Sequence, residues 1–125
     1  MAEGIFNAIA METNSQHFAI SCGLSAEIPM PAANYAVTAA AEYGADISKH
    51  MSMQISASLI SGAEAVYCMT SVHALRLAAL FPQYAGIIHL MPCGEIPDPY
   101  GGSLALYMET AGRIYFGVKD IMEKL

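Results

Sequence analysis

Three cysteines, Cys22, Cys68 and Cys93, are the first side chains in this sequence with the chemistry of a nucleophile or a metal ligand. They are odd in number and widely spaced. There is no Cys-x-x-Cys and no Cys/His cluster at zinc-like spacing, so neither a disulfide framework nor a zinc site is expected. Cys22 and Cys68 each sit in an apolar run and are expected as buried core thiols. Cys93 lies between Pro92 and Gly94 in a loop and is expected to be exposed. Free thiols of this kind fit a reducing compartment. The other group of interest is Asp98, within Pro97-Asp98-Pro99-Tyr100-Gly101-Gly102. The prolines stiffen that loop, and the glycines let it turn back into the segment that follows. On this context alone Asp98 is either an acid–base group or a turn aspartate that stabilises its own loop.

Charge narrows the partners. The formal net charge is −6, with Arg76 and Arg113 the only arginines, so nucleic acid and anionic lipid are repelled. An anionic substrate would need local donors, such as a helix N-terminus or a cradle of backbone N–H groups. The chain is 55% hydrophobic and 13% charged, which is too apolar for disorder and ample for one buried core. Its apolar stretches are interrupted well before the roughly 18 residues of a spanning helix. Glu3 and Asn7 fall where a signal peptide would be apolar, and a soluble cytoplasmic protein is expected.

The elements that must position these groups follow from periodicity. Ala2, Ile5, Phe6 and Ile9 share one face of a helix over residues 1–12. His17 to Cys22 is a short apolar run ended by Gly23 and predicts a strand. Pro31 to Tyr43 predicts a helix with Gly44 as its left-handed stop. A short helix over Ser56 to Ser61 precedes the apolar strand Ala65 to Met69, which is expected to be covered on both faces. Ser71 to Leu80 predicts a helix and Gly86 to Leu90 a strand. Leu104, Tyr107, Ala111, Ile114, Val118, Ile121 and Leu125 alternate spacings of three and four, and Ser103 stands as their N-cap. Strands separated by helices imply right-handed crossovers and a parallel sheet, hence one α/β domain over residues 1–125. A doubly wound domain usually opens with a strand whose following turn builds the ligand site, whereas this chain opens with a helix.

Five stretches in order resemble the low-molecular-weight protein tyrosine phosphatase family, in particular its bacterial branch. They are Met1-Ala2-Glu3-Gly4-Ile5-Phe6, Ser21-Cys22-Gly23-Leu24, the run from Gly44 to Ser52, Met69-Thr70 with His73, and Ile96 to Gly102 with its acid loop. The resemblance implies a three-layer α/β/α fold with a small parallel sheet in strand order 2-1-3-4, its first strand missing here. It also implies hydrolysis of phosphomonoesters through a cysteinyl-phosphate intermediate, without metal or other cofactor. A thiolate in an anion-binding loop attacks phosphorus, and an aspartic acid protonates the leaving phenolate and then activates water. By that resemblance Asp98 is the general acid and Tyr100 lines the substrate's ring. Ser21 and His50 brace the phosphate loop behind the site. The implied partner is a phosphorylated protein, on tyrosine or arginine.

The family's Cys-x5-Arg is absent from these residues. Six positions after Cys22, Cys68 and Cys93 stand Ile28, Ala74 and Pro99. Asp98 is therefore an acid without a nucleophile, and the 125 residues alone are expected to be inactive. The simplest account is a start assigned at an internal methionine, since Met1 coincides with the methionine that follows the family's loop. The missing strand is central in the family order. Burying its four or five apolar side chains would contribute roughly 6–15 kcal/mol at about 1.5–3 each. That is comparable to a whole domain's net stability of about 5–15 kcal/mol, so a stable monomer is not expected. Two alternatives compete: a non-catalytic remnant that binds a partner supplying the strand, and an arsenate reductase on the same fold. The latter calls for two redox cysteines close together, which the separation of Cys68 and Cys93 does not resemble.

Overall fold

Ile5, Phe6 and Ala10 recur on one face, and there the chain forms helix α1 (Ala2–Glu12) with those three side chains buried. The computed structural model describes residues 1–125. The remaining elements are α2 (Asn34–Ala41), α3 (Ala57–Ser61), β1 (Val66–Cys68), α4 (Ser71–Leu80), a 3-10 turn (Pro82–Ile87), β2 (Ile88–Leu90) and α5 (Leu104–Glu123). The N-caps of three helices are set by hydroxyls: Ser56, Thr70 and Ser103 accept from the N–H groups of Leu59, His73 and Leu106. Helix α5 buries Tyr107, Ala111, Ile114, Val118 and Ile121, as its periodicity predicts, while Leu104 and Leu125 at its ends stay exposed.

Strands β1 and β2 pair in parallel, Val66 opposite Ile88, Tyr67 opposite His89 and Cys68 opposite Leu90. Successive side chains of β1 point to opposite faces. Tyr67 packs with Met69 against the main core, which fills the space between α1, α2 and α5. Val66 and Cys68 instead pack with Ile60 of α3 and Leu77 of α4. Helices thus cover both sides of a parallel sheet, and the fold is α/β as expected. Helix α1 seats closely on the segment after α2, because a Cβ at Gly4 would stand 2.5 Å from Ile47 Cγ2. No helix is long and apolar enough to cross a membrane.

Three expectations are corrected in detail. Residues 17–22 are not a strand: the only ladder-type contact nearby is a single parallel bridge between Gly23 and Gln54. The chain runs beside α1, whose side chains take the backbone groups that a neighbouring strand would have taken. Asn7 accepts from the N–H of Ala19 at 2.8 Å and donates to its carbonyl at 3.0 Å. Glu3 accepts from the N–H of Ser21 at 2.7 Å. With no strand on its other side, this segment leaves Phe18 74% and Ile20 58% exposed. Cys22 is exposed for the same reason, against its expected burial, while Cys68 is buried and Cys93 exposed as expected. Helix α2 is shorter than Pro31 to Tyr43, since Pro31 is drawn into an antiparallel bridge with Met51 and Ala33 is extended. Gly44, at φ +78°, does adopt the left-handed turn that closes it.

Candidate active site

The N-terminus of α1 opens into a cavity of about 280 Å³ whose wall includes Met1, Met30, Pro31, His50, Asp98 and Tyr100. Met1, the N-cap of α1, lines it, and no side chain caps this helix end, a kind of position that suits anions. Asp98 and Tyr100 reach the opposite wall from the loop between β2 and α5. Asp98 is the only carboxylate of that wall, and no lysine or arginine shares it.

The geometry of this loop follows from its sequence. Asp98 Oδ1 accepts from the N–H of Tyr100 at 3.0 Å, and Gly102 donates to the carbonyl of Pro99 at 2.8 Å, a tight reversal that needs Gly101 at φ +80°. A Cβ on Gly102 would stand 2.9 Å from the Pro99 carbonyl oxygen. Asp98 thus organises its own turn, and its exposed side chain lines the same cavity as Met1 at the start of α1. Tyr100 is 82% exposed, with its ring free to meet a bound group.

Ser21 and His50 are brought together, though by a residue that sequence reasoning did not single out. Glu3, in the first turn of α1, holds both. Its Oε1 accepts from the N–H and the hydroxyl of Ser21 at 2.7 and 3.1 Å, and its Oε2 lies 3.3 Å from His50 Nδ1. The signal was present in an acidic residue placed at a helix N-terminus, where carboxylates are favoured. Only His50 of the two lines the cavity; Ser21 stands behind it. The turn that delivers His50 is organised by Asp46, which accepts from the hydroxyl of Ser48 at 2.6 Å and its N–H at 3.0 Å. The Ser48 hydroxyl, then its N–H, hold the Asp46 carboxyl below the usual carboxylate value.

No cysteine lines the cavity. Burial, and then the neighbouring Cys22, push the Cys68 thiol up, which disfavours the nucleophilic thiolate. The site therefore combines a carboxylic acid, an aromatic wall and an open helix N-terminus.

Comparison with known proteins gives the family. The family model described as low molecular weight phosphotyrosine protein phosphatase matches residues 1–125. A probable low molecular weight protein-tyrosine-phosphatase, EpsP, of Ralstonia nicotianae is 31% identical over 102 residues, covering 79% of this chain and 70% of its own. A protein-arginine-phosphatase of Bacillus subtilis is 26% identical over 131 residues, covering 100% of this chain and 87% of its own. Among solved structures, the low molecular weight protein tyrosine phosphatase of T. tengcongensis superposes with a TM-score of 0.94 at 34% identity, covering 99% of this chain and 88% of that one.

Proposed function

The chain belongs to the low molecular weight phosphotyrosine protein phosphatase family, and from that premise we propose that it supplies the acid half of a phosphomonoester hydrolase acting on phosphorylated proteins. Asp98 is the general acid, which protonates the leaving oxygen and then activates water. Tyr100 flanks the ring or side chain that carries the phosphate, and Glu3 braces Ser21 and His50 behind the phosphate position. The observation that carries this reading is the shared cavity. Asp98 and Tyr100 line it together with Met1, the N-cap of α1, and a helix N-terminus suits a phosphate. Relatives named for tyrosine and for arginine phosphatase activity bracket the substrate class.

Because these residues contain no Cys-x5-Arg, turnover requires an extended strand and phosphate loop from outside them. Two segments support a position for such a strand. Ala19 and Tyr67 both pack on the main core, while Leu24 and Val66 both pack on the smaller one, so residues 19–24 and β1 lie in one layer. The two are not paired with each other, since β1 pairs with β2 alone. A second reading draws on the exposed Phe18 and Ile20 of the same edge: a non-catalytic protein whose partner adds the strand.

The test is an aryl phosphatase assay of the 125 residues alone and of the same residues preceded by the family's strand and loop. Activity is expected only in the second. Turnover by the 125 residues alone would overturn the proposal. A well-folded but inactive extended chain would favour the binding protein.

A further inference from the structure

We propose that Glu95 and Arg113 are positioning residues for Asp98: they fix the root of the acid loop from two sides, and through it the reach of the carboxyl. The inference rests on Asp98 being the general acid. Glu95 stands three residues before Asp98 and is held at both its side chain and its main chain. Its Oε1 accepts from the N–H of Ser71 at 2.8 Å and also from the Ser71 hydroxyl, at the first residue of α4. That helix end favours a carboxylate. The Ser71 hydroxyl, then its N–H, hold the Glu95 carboxyl below its usual value. From the other side, Arg113 Nη2 of α5 donates to the main-chain carbonyl of Glu95. This is the only hydrogen bond of the Arg113 side chain, and Arg113 joins no ion pair.

The next residue completes the anchor. Ile96 is 3% exposed, packs in the main core, and donates its N–H to the Met69 carbonyl at 2.8 Å. Only Pro97, with its fixed φ, separates this anchor from Asp98. The loop is thus tied to α4, to α5 and to the end of β1 immediately before the acid, and displacement at Glu95 is passed on almost undamped. Glu95 and Arg113 are both exposed, and neither lines the cavity. They do not touch a bound phosphate ester. Exposed polar contacts of this kind add little to global stability, so their effect should appear in the chemistry.

The experiment uses the complete phosphatase, these residues with a phosphate-loop segment, carrying Glu95→Ala, Glu95→Gln, Arg113→Ala, Asp98→Asn or Glu95→Ala with Asp98→Asn. Each is assayed on phenyl phosphate, whose leaving group must be protonated, and on p-nitrophenyl phosphate, whose leaving group departs without help. Displacements near one ångström cost up to about a hundredfold, so Glu95→Ala should lower kcat on phenyl phosphate by roughly ten- to a hundredfold. The loss on p-nitrophenyl phosphate should be much smaller, with KM and melting temperature nearly unchanged. Arg113→Ala should show the same pattern, and Glu95→Gln, which keeps an acceptor oxygen, should recover most of the rate. In the Asp98→Asn background Glu95→Ala should cost nothing further. A loss equal for both leaving groups, or one that persists in the Asp98→Asn background, would overturn the proposal. An indifferent Glu95→Ala beside a leaving-group-dependent Asp98→Asn overturns this inference alone. An Asp98→Asn that does not discriminate the leaving groups removes the acid assignment itself, and this inference with it.

Discussion

Replacing Asp98 with asparagine separates the two roles that the structure leaves on one side chain. Its structural duty is small: one hydrogen bond from the N–H of Tyr100 at 3.0 Å, on an exposed turn. Asparagine keeps an oxygen at that position, so the expected stability change is within about 0.5 kcal/mol, as for ordinary surface substitutions. The chemical duty proposed for it is large. Removing a general acid costs roughly 10²–10⁴ in rate, or about 3–5 kcal/mol of barrier at 1.36 kcal/mol per tenfold. The expected effect on the barrier therefore exceeds that on folding several-fold. The assay is single-turnover phosphorylation by the complete enzyme, with phenyl and nitrophenyl phosphates, beside a thermal melt. The rate should collapse for phenol and fall far less for the acidic phenol, with an unchanged melt. A melting temperature that dropped in proportion to the rate would mean that Asp98 holds its turn and does no proton transfer.

Glu3→Ala should destabilise the complete protein by about 1–3 kcal/mol, since it strips the acceptor from the N–H and hydroxyl of Ser21, and Glu3→Gln should cost less. Thermal melts check this; an unchanged Glu3→Ala would mean that Ser21 finds another partner. The 125 residues alone should unfold with low cooperativity and bind dyes that report apolar surface, given the exposed Phe18 and Ile20. A sharp calorimetric transition with no dye binding would refute that. Stability should also fall in acid. Asp46 has a folded value below its ordinary 3.8, so its contribution is full above that value and is lost as pH drops through the lowered one. Denaturant midpoints followed from pH ~6 to ~2 should decline below about pH 4, less steeply in Asp46→Asn. An identical slope in that variant would show that Ser48 does not hold the ionised carboxyl.

How legible each part was depends on how local its cause is. Helix α5 could be read because its apolar period and its Ser103 cap lie within one segment. The Gly44 turn and the Pro99–Gly102 reversal were readable for the same reason: each rests on a glycine at positive φ. Residues 17–22 misled because an apolar run reports burial and extension, not whether a neighbouring edge exists to pair with. The exposure of Cys22 follows from that one error. Glu3 was missed because its meaning lies in partners far along the chain, Ser21 18 residues on and His50 beyond α2. Asp98 and Tyr100 stood out by resemblance, but only the structure puts them opposite the start of α1.

The main core also dictates an order of events during synthesis. Its buried side chains come from both ends of the chain, Ile5, Phe6 and Ala10 from α1, and Tyr107, Ala111, Ile114, Val118 and Ile121 from α5. Such long-range contacts form late and slowly, because a long loop must close before any of them is made. On the ribosome, α1 can pack early against the segment around Ile47, but its apolar face stays only partly covered until α5 has emerged. Asp98 lies six residues ahead of α5, and its loop is tied to that helix through the Ser103 cap and Arg113. The step that seals the core is thus the same step that sets the acid opposite the helix end. A nascent chain cannot hold an assembled site before α5 has docked, and a polypeptide cut short before Tyr107 loses both together.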